Sequence, residues 1–516
     1  MEMSLLQNIQ PITWQELEIT EINNSLLFLL LLVSCFIFWK KLGKSNLNLP
    51  PSPPKLPVLG NLHQLGKLHH RSLRALSLKY GPLMFLNIGQ KPTLVVSSAK
   101  AAREVLTTHD IEFADRPKTT AAEIFFYSCS GVVFSSYGEY WKKVKKLCVT
   151  ELLSAQRVRS YQSIREEQVD ILIGKVRCAC LSGASIDMSE MLLGVINSII
   201  SLCVMGRKAT GGKDNSEFGE LLKRLMLQLG NFSFADSFPI IAFLDNLTGI
   251  TAHLKATSRE IDAYLDQVIE DHSMEDYDEQ LYFKDFVHIF LELQRNGKLG
   301  IELTRDNIKA ILLEMFVGGT VTTATTIEWA MAELVRDQKT MRKAQQEVRR
   351  VVGNKSNVEV EDIEKMAYLK WVVKETLRLH PALPLLIPRE TSAGVELGGY
   401  SVPARTVVLV NAFAIHLDPE VWESPEKFIP ERYEKDPVDF KDRDYKFLAF
   451  GGGRRVCPGL DFGQASTETV LANLLYWFDW TLPDGRRPEE LDMDESFGLS
   501  VSKKTHLRLI PTLSSP

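Results

Sequence analysis

Hydrophobic and polar positions follow helical spacing along most of the chain after Gly60, and only a few short runs have the two-residue spacing of strands. The clearest strand is predicted at 92–98, and a helix follows it at 99–109. Longer helices are predicted at 304–334, 368–381 and 460–477, with Thr304 as the expected N-cap of the first. A strand pair closes the chain, with 497–511 as its tip and return strand. The pattern predicts a mainly α protein with small β-sheets.

The N-terminal region contains an unbroken apolar run at residues 26–39, followed by Lys40, Lys41 and Lys44. The run is shorter than the roughly 20 residues usual for a membrane span. Residues 1–39 contain no Lys or Arg, so the basic start of a cleaved signal peptide is missing. Lysines follow the run and acidic residues precede it, which favours a cytosolic position for the rest of the chain.

We therefore predict three N-terminal segments and one large domain. The segments are a lumenal tail at 1–25, an uncleaved transmembrane signal anchor at 26–39, and a basic and proline-rich hinge at 40–58. A single pass through the thin endoplasmic reticulum membrane suits the short span. No linker divides 59–516, so we predict one domain there.

The composition excludes several classes of function. The net charge is −5 and the basic residues form no sustained face, so we expect no nucleic-acid partner. Seven cysteines in 516 residues are too sparse for a disulfide framework, which favours a reducing compartment.

One cysteine stands in an unusual setting, FGGGRRVCPG at 450–459. Zinc would require further ligands at short spacing, and Cys457 has none; a cysteine nucleophile with a distant histidine base stays open. Arg454 and Arg455 supply positive charge near the thiol, and the glycines permit close approach of the backbone to a flat group. A thiolate bound axially to haem iron would satisfy all these features, with arginine left for the haem carboxylates.

This decapeptide also fits the pattern F-x-x-G-x-R-x-C-x-G through Phe450, Gly453, Arg455, Cys457 and Gly459, and so resembles the signature of the cytochrome P-450 superfamily. The resemblance extends over nearly the whole chain. It implies the cytochrome P-450 fold, a haem-thiolate catalytic domain at 59–516, and haem b with Cys457 as the axial iron ligand. The proline-rich hinge and the stretches FADRP, NFSFADSFP and PEKFIPERY narrow the resemblance to the plant A-type (clan-71) microsomal enzymes.

Two further motifs resemble the structural network of the family. Glu375 and Arg378 match its E-x-x-R pair, and PERY at 430–433 matches its P-E-R-F. The first two share a helix face because they are three residues apart, and Arg432 can complete a charge-assisted network around the carboxylate. The resemblance implies that this network braces the loop that carries the cysteine.

The resemblance also implies the haem contacts. Trp141 and Lys145 match the family's W-x-x-x-R, but lysine keeps the charge of arginine without its bidentate fork. These two residues, Arg389 and Arg455 are expected to hold the haem propionates. The remaining expected cofactor contacts are glycines and one aromatic residue: Phe450, Gly453, Gly459, Gly318 and Gly319.

The middle of the long helix resembles the family's oxygen-binding segment, A/G-G-x-D/E-T-T/S. Thr322 is expected to relay protons, but Val321 stands where the family usually has a carboxylate. Three explanations stay open. Water or a hydroxyl or amine of the substrate can carry the protons; turnover can be slow and poorly coupled; or the reaction can avoid O–O cleavage, as in thiolate-haem isomerases and dehydratases.

The expected substrate contacts are mostly apolar, which predicts a small lipophilic substrate. They are Phe125, Phe126, Phe316, Val317, Val321, Leu383, Leu385, Ile387, Leu499 and Ser500. We predict an NADPH-dependent monooxygenase of plant specialised metabolism, with catalytic residues Cys457 and Thr322. NADPH-cytochrome P-450 reductase is the expected electron donor, cytochrome b5 is a further candidate partner, and the exposed lysines near Trp141 are a candidate docking face. A reductase-independent dehydratase or isomerase, suggested by Val321, and a non-catalytic haem-binding protein are the alternatives.

Overall fold

The computed structural model describes residues 30, 31, 34, 47–206, 214–274, 284–297, 302–440, 444–496, 498 and 500–514. The predicted tail, most of the predicted anchor, and the residues of the hinge before 47 lie outside this part of the chain. Leu30 and Leu31, within the predicted anchor, are helical and exposed. The predicted substrate contact Leu499 also lies outside the described residues.

Most of the described chain is helical. The α-helices are α1 His69–Tyr80, α2 Ala99–Arg103, α3 Thr120–Phe125, α4 Glu139–Leu147, α5 Ala155–Ser160, α6 Gln162–Ser182, α7 Met188–Met205, α8 Asp214–Leu229, α9 Phe234–Ser237, α10 Leu244–Leu247, α11 Ile250–Met274, α12 Phe286–Arg295, α13 Arg305–Arg336, α14 Gln338–Val352, α15 Val360–Ile363, α16 Ala367–Leu379, α17 Ala412–His416, α18 Arg432–Lys435 and α19 Leu460–Trp477. Short π-helical turns extend α2 and α4, and 3-10 turns include Gly453–Arg455.

The strands form small sheets at the periphery of the helices. They are β1 Leu83–Ile88, β2 Lys91–Val96, β3 Ile186–Asp187, β4 Arg389–Glu390, β5 Val395–Leu397, β6 Tyr400–Val402, β7 Val407–Val410, β8 Phe478–Thr481, β9 Glu495–Ser496, β10 Ser502–Lys503 and β11 Arg508–Leu513. The largest sheet has the order β1-β2-β7-β4, in which β2 and β7 are parallel and the other pairs are antiparallel.

The described fold confirms the predicted class and locates the predicted elements with one difference. The predicted strand 92–98 corresponds to β2, and the predicted helices after residue 300 correspond to α13, α16 and α19. The C-terminal strand pair is divided, because β10 pairs with β9 whereas β11 pairs with β8 and β3. Local spacing predicts extended backbone, but the choice of partner strand depends on tertiary packing.

The long helix α13 is the central element of the core. Thr304 caps it together with Asn307 in a reciprocal capping box. The helix packs against α7, α16 and α19 and is buried on nearly every side, so its apolar residues are not confined to one face. Both α7 and α13 are long and apolar enough to cross a membrane, but 61% and 72% of their apolar windows are buried, as expected for core helices of a folded domain.

A fully buried ion network joins α16 to the segment before the cysteine loop. The Glu375 carboxylate accepts two hydrogen bonds from Arg378, at 2.8 and 2.9 Å, and two from Nε of Arg432, at 3.0 and 3.1 Å. It also accepts one from the backbone N–H of Ile429 at 2.9 Å. Arg378 donates in turn to the carbonyls of His416 and Pro425, at 2.8 and 2.6 Å. All the polar groups of Glu375 and Arg378 therefore have partners. Burial of a charged pair would be unfavourable without them.

His416 carries the network to the cysteine loop. Its Nδ1–H donates to the Arg378 carbonyl at 3.0 Å, and its Nε2 accepts the N–H of Leu448 at 2.8 Å. Burial and the charge of Arg378 lower the pKa of His416 to about 3, so the ring is neutral and can accept at Nε2. Leu448 lies two residues before Phe450, where the predicted signature begins.

We expect Glu375→Gln to lower the free energy of unfolding by about 3–5 kcal/mol, because two guanidinium groups would then be buried without their anion. Denaturant unfolding followed by haem absorption measures this change. Glu490→Gln is the matched control, since Glu490 forms an exposed i, i+3 ion pair with Arg487, and it should leave the unfolding midpoint unchanged. A loss under about 1 kcal/mol for Glu375→Gln, the size of a surface ion pair, would contradict the bracing role.

Candidate functional site

A cavity lies between the middle of α13, the start of α19 and the cysteine loop 450–459. The predicted site residues that line it include the two expected catalytic residues and most of the expected cofactor contacts. They are Cys457, Thr322, Trp141, Lys145, Arg389, Arg455, Phe450, Gly459, Gly318 and Gly319, together with the substrate candidates Leu383 and Ile387.

The cysteine loop presents its sulfur to this cavity. The N–H of Cys457 donates to the Phe450 carbonyl at 3.0 Å, which closes the loop and leaves the side chain exposed on the cavity side. Protein surrounds the sulfur closely enough that burial raises the pKa of the Cys457 thiol, although the N–H of Gly459 and the charge of Lys145 act to lower it. A metal ion bound to the sulfur would favour the thiolate over the thiol.

The expected roles of the neighbouring arginines and glycines need correction. Arg454 is half exposed and lies 3.5 Å from Asp110, so its charge is directed away from the sulfur. Gly453 does not face the cavity; its φ is +64°, and a Cβ there would lie 2.4 Å from the Leu106 carbonyl oxygen. Gly453 is thus required by backbone conformation and packing against Leu106. Gly459 does line the cavity, as expected.

Buried cations gather at one end of the cavity. Burial and the charge of Arg389 lower the pKa of Arg455 to about 10, and burial and the charge of Arg455 lower the pKa of Lys145 to about 8. Burial also lowers the pKa of Arg389, and it lowers the pKa of Arg116 well below the ordinary value of an arginine. Burial therefore disfavours the charged form of all four side chains, and a neighbouring positive charge adds to this effect for Arg455, Lys145 and Arg116, so this part of the cavity favours an anion.

Trp141 positions two of these cations. The Arg455 guanidinium lies 4.2 Å from the centre of the indole, and Lys145 Nζ lies 5.3 Å from it. The indole N–H donates to the Val132 carbonyl at 2.9 Å, so here Trp141 orients the charged groups through its ring. Lys145 itself donates to the carbonyls of Arg454 and Val456.

These residues fit haem b. The Cys457 thiol is exposed to a mostly apolar cavity, which suits an axial ligand to iron. The cations Arg389, Arg455 and Lys145 line the same cavity and suit the two haem carboxylates. Gly318 also suits this arrangement, because a Cβ there would have open space around it. Gly319 serves helix packing as well, since a Cβ there would lie 2.7 Å from Ile200 of α7.

Glu314 is a buried acid on the cavity wall that the sequence analysis missed. Its carboxylate accepts hydrogen bonds from the N–H groups of Val132, Val133 and Phe134, the first being the shortest at 2.5 Å. Burial nevertheless raises the pKa of Glu314 to about 7. One signal could have identified it, because it is the single charged residue within the apolar stretch AILLEMFVGG of the long helix.

The loop 130–134 is fixed by polar groups from both sides. Glu314 binds its N–H groups, and a Cβ at Gly131 would lie 2.2 Å from that carboxylate, so this glycine makes room for the acid. Arg116 of the FADRP stretch donates to the Val133 carbonyl at 3.0 Å and to the carbonyls of Ile387 and Pro388 at 2.7 Å. The loop therefore links the long helix to the cation cluster.

Thr322 has its hydroxyl at the cavity wall, where Oγ1 donates to the Gly318 carbonyl at 2.6 Å. Val321 does not line the cavity. The side chain at position 321 is therefore directed toward the cavity less than the hydroxyl of Thr322 is.

The remaining predicted substrate contacts lie mainly in the hydrophobic core. Phe125, Phe126, Phe316 and Val317 are buried in the large core cluster, and Leu385 packs on a smaller one beside the sheet. Their contact with substrate stays a prediction. Ser500 differs, because its buried hydroxyl has no hydrogen-bond partner among the described residues, and its contact with substrate also stays a prediction.

We expect the stability of the protein to fall, relative to that of Glu314→Gln, as the pH rises from about 5 to about 8. The folded-state pKa of Glu314 is raised from 4.5 to about 7, so between these values the folded chain binds more protons than the unfolded chain and loses stability as they are removed. Unfolding midpoints of both proteins across this range measure the difference. Glu489→Gln, at an exposed position, should follow the unmodified protein, and parallel pH profiles for Glu314→Gln would contradict the assignment.

Curated plant proteins match the chain over nearly its whole length. The chain is 48% identical to a phenylacetaldehyde oxime monooxygenase from Prunus mume, with 100% of both sequences covered. It is 44% identical to desmethylyatein synthase from Sinopodophyllum hexandrum, covering 94% of this chain and 97% of that protein. It is 43% identical to costunolide synthase from Cichorium intybus, covering 93% and 96%.

A family model and a solved structure agree with these relatives. The cytochrome P450 model matches residues 50–508. A zebrafish cytochrome P450 solved with progesterone superimposes with a TM-score of 0.75 at 26% identity, covering 86% of this chain and 99% of that one. Together with the thiol, the cations and the long helix around one cavity, these matches show that the chain belongs to the cytochrome P450 family of haem b oxidoreductases.

Proposed function

We propose that the chain is a membrane-anchored haem-thiolate monooxygenase that oxidises a lipophilic plant specialised metabolite with electrons from NADPH-cytochrome P-450 reductase. The observation that carries the proposal is the cavity itself, which has the Cys457 sulfur on one wall and the Thr322 hydroxyl on another. The relatives named above support it, because one is a monooxygenase and all come from plants.

Different residues of the chain would bind different parts of the cofactor. Haem b, when bound, supplies the iron that activates dioxygen. Cys457 Sγ holds the iron, and Arg389, Arg455 and Lys145 hold the carboxylates. Binding the carboxylates there would offset the mutual repulsion of the buried cations, so cofactor binding and the stability of the loop 130–134 would be coupled.

Thr322 handles protons in this proposal. Its hydroxyl is held by the Gly318 carbonyl at 2.6 Å, so its oxygen lone pairs can accept a hydrogen bond from water or from a polar group of the substrate. Because Val321 provides no acid, water or the substrate completes the relay. Of the three explanations left open by the sequence, this one requires no side chain that the chain lacks.

The cavity wall determines the class of substrate. Beyond the cofactor contacts it is largely aliphatic and aromatic, with Val373, Leu377, Leu383, Ile387 and Phe440 among its residues. Such a wall binds terpenoid, alkaloid or phenolic skeletons by burial and leaves orientation to a few polar groups. Hydroxylation, demethylation and oxidative coupling or cyclisation are all available to the same residues.

The helix α4 is the proposed docking face for the redox partner. Lys142, Lys143 and Lys146 are exposed on it, while Trp141 and Lys145 of the same helix line the cavity. An acidic partner surface would therefore bind within one helix diameter of the haem carboxylates. The anchor and hinge would hold the domain on the cytosolic face of the endoplasmic reticulum, where the reductase is anchored, and cytochrome b5 could use the same face.

The test is turnover of plant terpenoids, alkaloids and phenolics that shift the haem spectrum of the purified protein, with and without NADPH and the reductase. We expect product only with both, and we expect the reduced, carbon-monoxide-treated protein to show the red-shifted band of thiolate ligation. Cys457→Ala should lose that band, and Cys178→Ser, at an exposed cysteine, should keep it. Product formed without NADPH would favour a dehydratase or isomerase, and the band surviving in Cys457→Ala would contradict the assigned ligand.

We expect Val321→Asp to leave the ratio of product to NADPH consumed within about twofold of the original, because proton transfer already proceeds through Thr322 with water or substrate. Thr322→Ala should lower that ratio and raise peroxide release, whereas Thr322→Ser should retain most of it. Parallel measurement of NADPH, peroxide and product gives the comparison. A large rise in coupling for Val321→Asp would show instead that the chain has a proton-delivery defect.

A further inference from the structure

Two histidines and one aspartate meet at a place that takes no part in the proposed reaction. His272 lies in the last turn of α11, Asp285 is the N-cap of α12, and His288 lies in the first turn of α12. Each residue offers one possible ligand atom, and these three atoms lie within 4.8 Å of one another. The side chains are 7%, 5% and 14% exposed, so the cluster is inside the protein.

The hydrogen bonds of His272 fix its tautomer. Its Nδ1 lies 2.6 Å from the Val268 carbonyl oxygen, and because that oxygen only accepts, Nδ1 carries the proton. A neutral ring then directs the Nε2 lone pair at Oδ2 of Asp285, 3.3 Å away. Two lone pairs cannot face each other at this distance without a positive centre between or upon them. A second proton on His272, a proton on Asp285 or a metal cation would each satisfy this contact.

The geometry around the carboxylate suits a cation. Asp285 uses Oδ1 to cap α12 through the N–H of His288 at 2.9 Å, which leaves Oδ2 for the two imidazoles. Gly206, at the end of α7, has φ +75°, and a Cβ there would lie 2.5 Å from Oδ2. The glycine thus leaves the space that this oxygen occupies.

We propose that His272, Asp285 and His288 form a binding site for one Zn²⁺ ion, with water as the fourth ligand. Nitrogen and carboxylate ligands of tetrahedral zinc lie about 3.3 Å from one another, which matches the pair His272 Nε2 and Asp285 Oδ2. His288 Nδ1 is 2.6 Å from the same oxygen, so it would move away by about 0.7 Å, and the neutral ring would carry its proton on Nε2 instead of Nδ1. The carbonyl of Val268 orients His272 in the way that outer hydrogen bonds orient metal-binding histidines.

The ion would tie two helices together beside the catalytic cavity. It would join α11 to α12 directly, across residues 275–283, and it would lie against the end of α7. Phe286 follows Asp285 in the chain and lines the cavity, as does Cys203 of α7. The proposed ion would therefore stiffen one side of the haem pocket without touching substrate.

The experiment is titration of zinc chloride into the chelator-treated full-length holoenzyme, followed by calorimetry and by the thermal unfolding midpoint. We expect one equivalent to bind and to raise the midpoint. His272→Ala and His288→Ala should each weaken binding at least 10-fold. The matched control is His506→Ala, because His506 also pairs with an aspartate, Asp187 at 2.8 Å, but on the surface.

The carbon-monoxide spectrum of each variant checks that it has folded around haem. X-ray absorption at the zinc edge of the unmodified protein tests the ligands without any substitution, and two imidazoles per zinc are expected. Equal binding by all three variants would show adventitious surface zinc and overturn the proposal. Absence of binding at millimolar zinc would also overturn it, and the cation of the cluster would then be a proton. Neither result bears on the monooxygenase assignment, which depends on Cys457.

Discussion

Two arginines bind one buried carboxylate, and this network holds the backbone segment that leads to the cysteine loop, on which the site depends. Glu375 and Arg378 are fully buried, and burial of charge is unfavourable unless every polar group has a partner. The network meets this demand by binding the backbone of the segment that leads to the cysteine loop. The neutral ring of His416 then accepts a hydrogen bond from the N–H of Leu448 at Nε2, which restrains the backbone just before the cysteine loop. The position of the sulfur is thus determined by hydrogen bonds that begin on another helix.

A second constraint acts at the buried cations that line the cavity. Cations crowd there because Arg116, Arg389, Arg455 and Lys145 line one wall. Burial disfavours their charged forms, and they donate to backbone carbonyls of the loops around them. An arrangement of this kind favours an anionic ligand, and the two carboxylates of haem b would fit it. The loop 130–134 contacts both the buried acid Glu314 and Arg116. Polar groups of the long helix and of the cation cluster therefore restrain a single loop.

The long helix combines packing with chemistry. Its apolar side chains fill the core, while Gly318 and Thr322 face the cavity with little side-chain volume. Gly319 has a different task, because it admits the side chain of Ile200 from α7. Neighbouring positions of one motif thus serve different surfaces of the helix, as its 3.6-residue period requires.

The sequence by itself was sufficient for the family and the helices, and it also predicted the cysteine that faces the cavity. The cysteine motif, the ion-network residues and the spacing of apolar residues are local patterns, and each is visible within a single short segment. The divided C-terminal strand pair was not visible, because pairing partners come from distant segments. The orientation of Arg454 away from the sulfur was also missed, since two adjacent residues can point to different neighbours.

The tertiary structure alone decided which charged groups are buried and what they bind. The hydrogen-bond partners of Glu314, Arg116 and His416 are not visible in the sequence, because each residue binds backbone groups from segments that are far away in the chain. The cluster of His272, Asp285 and His288 also depends on the approach of two helices and of Gly206. Burial and hydrogen bonding between distant segments are properties of the packed chain, so local sequence patterns do not contain them.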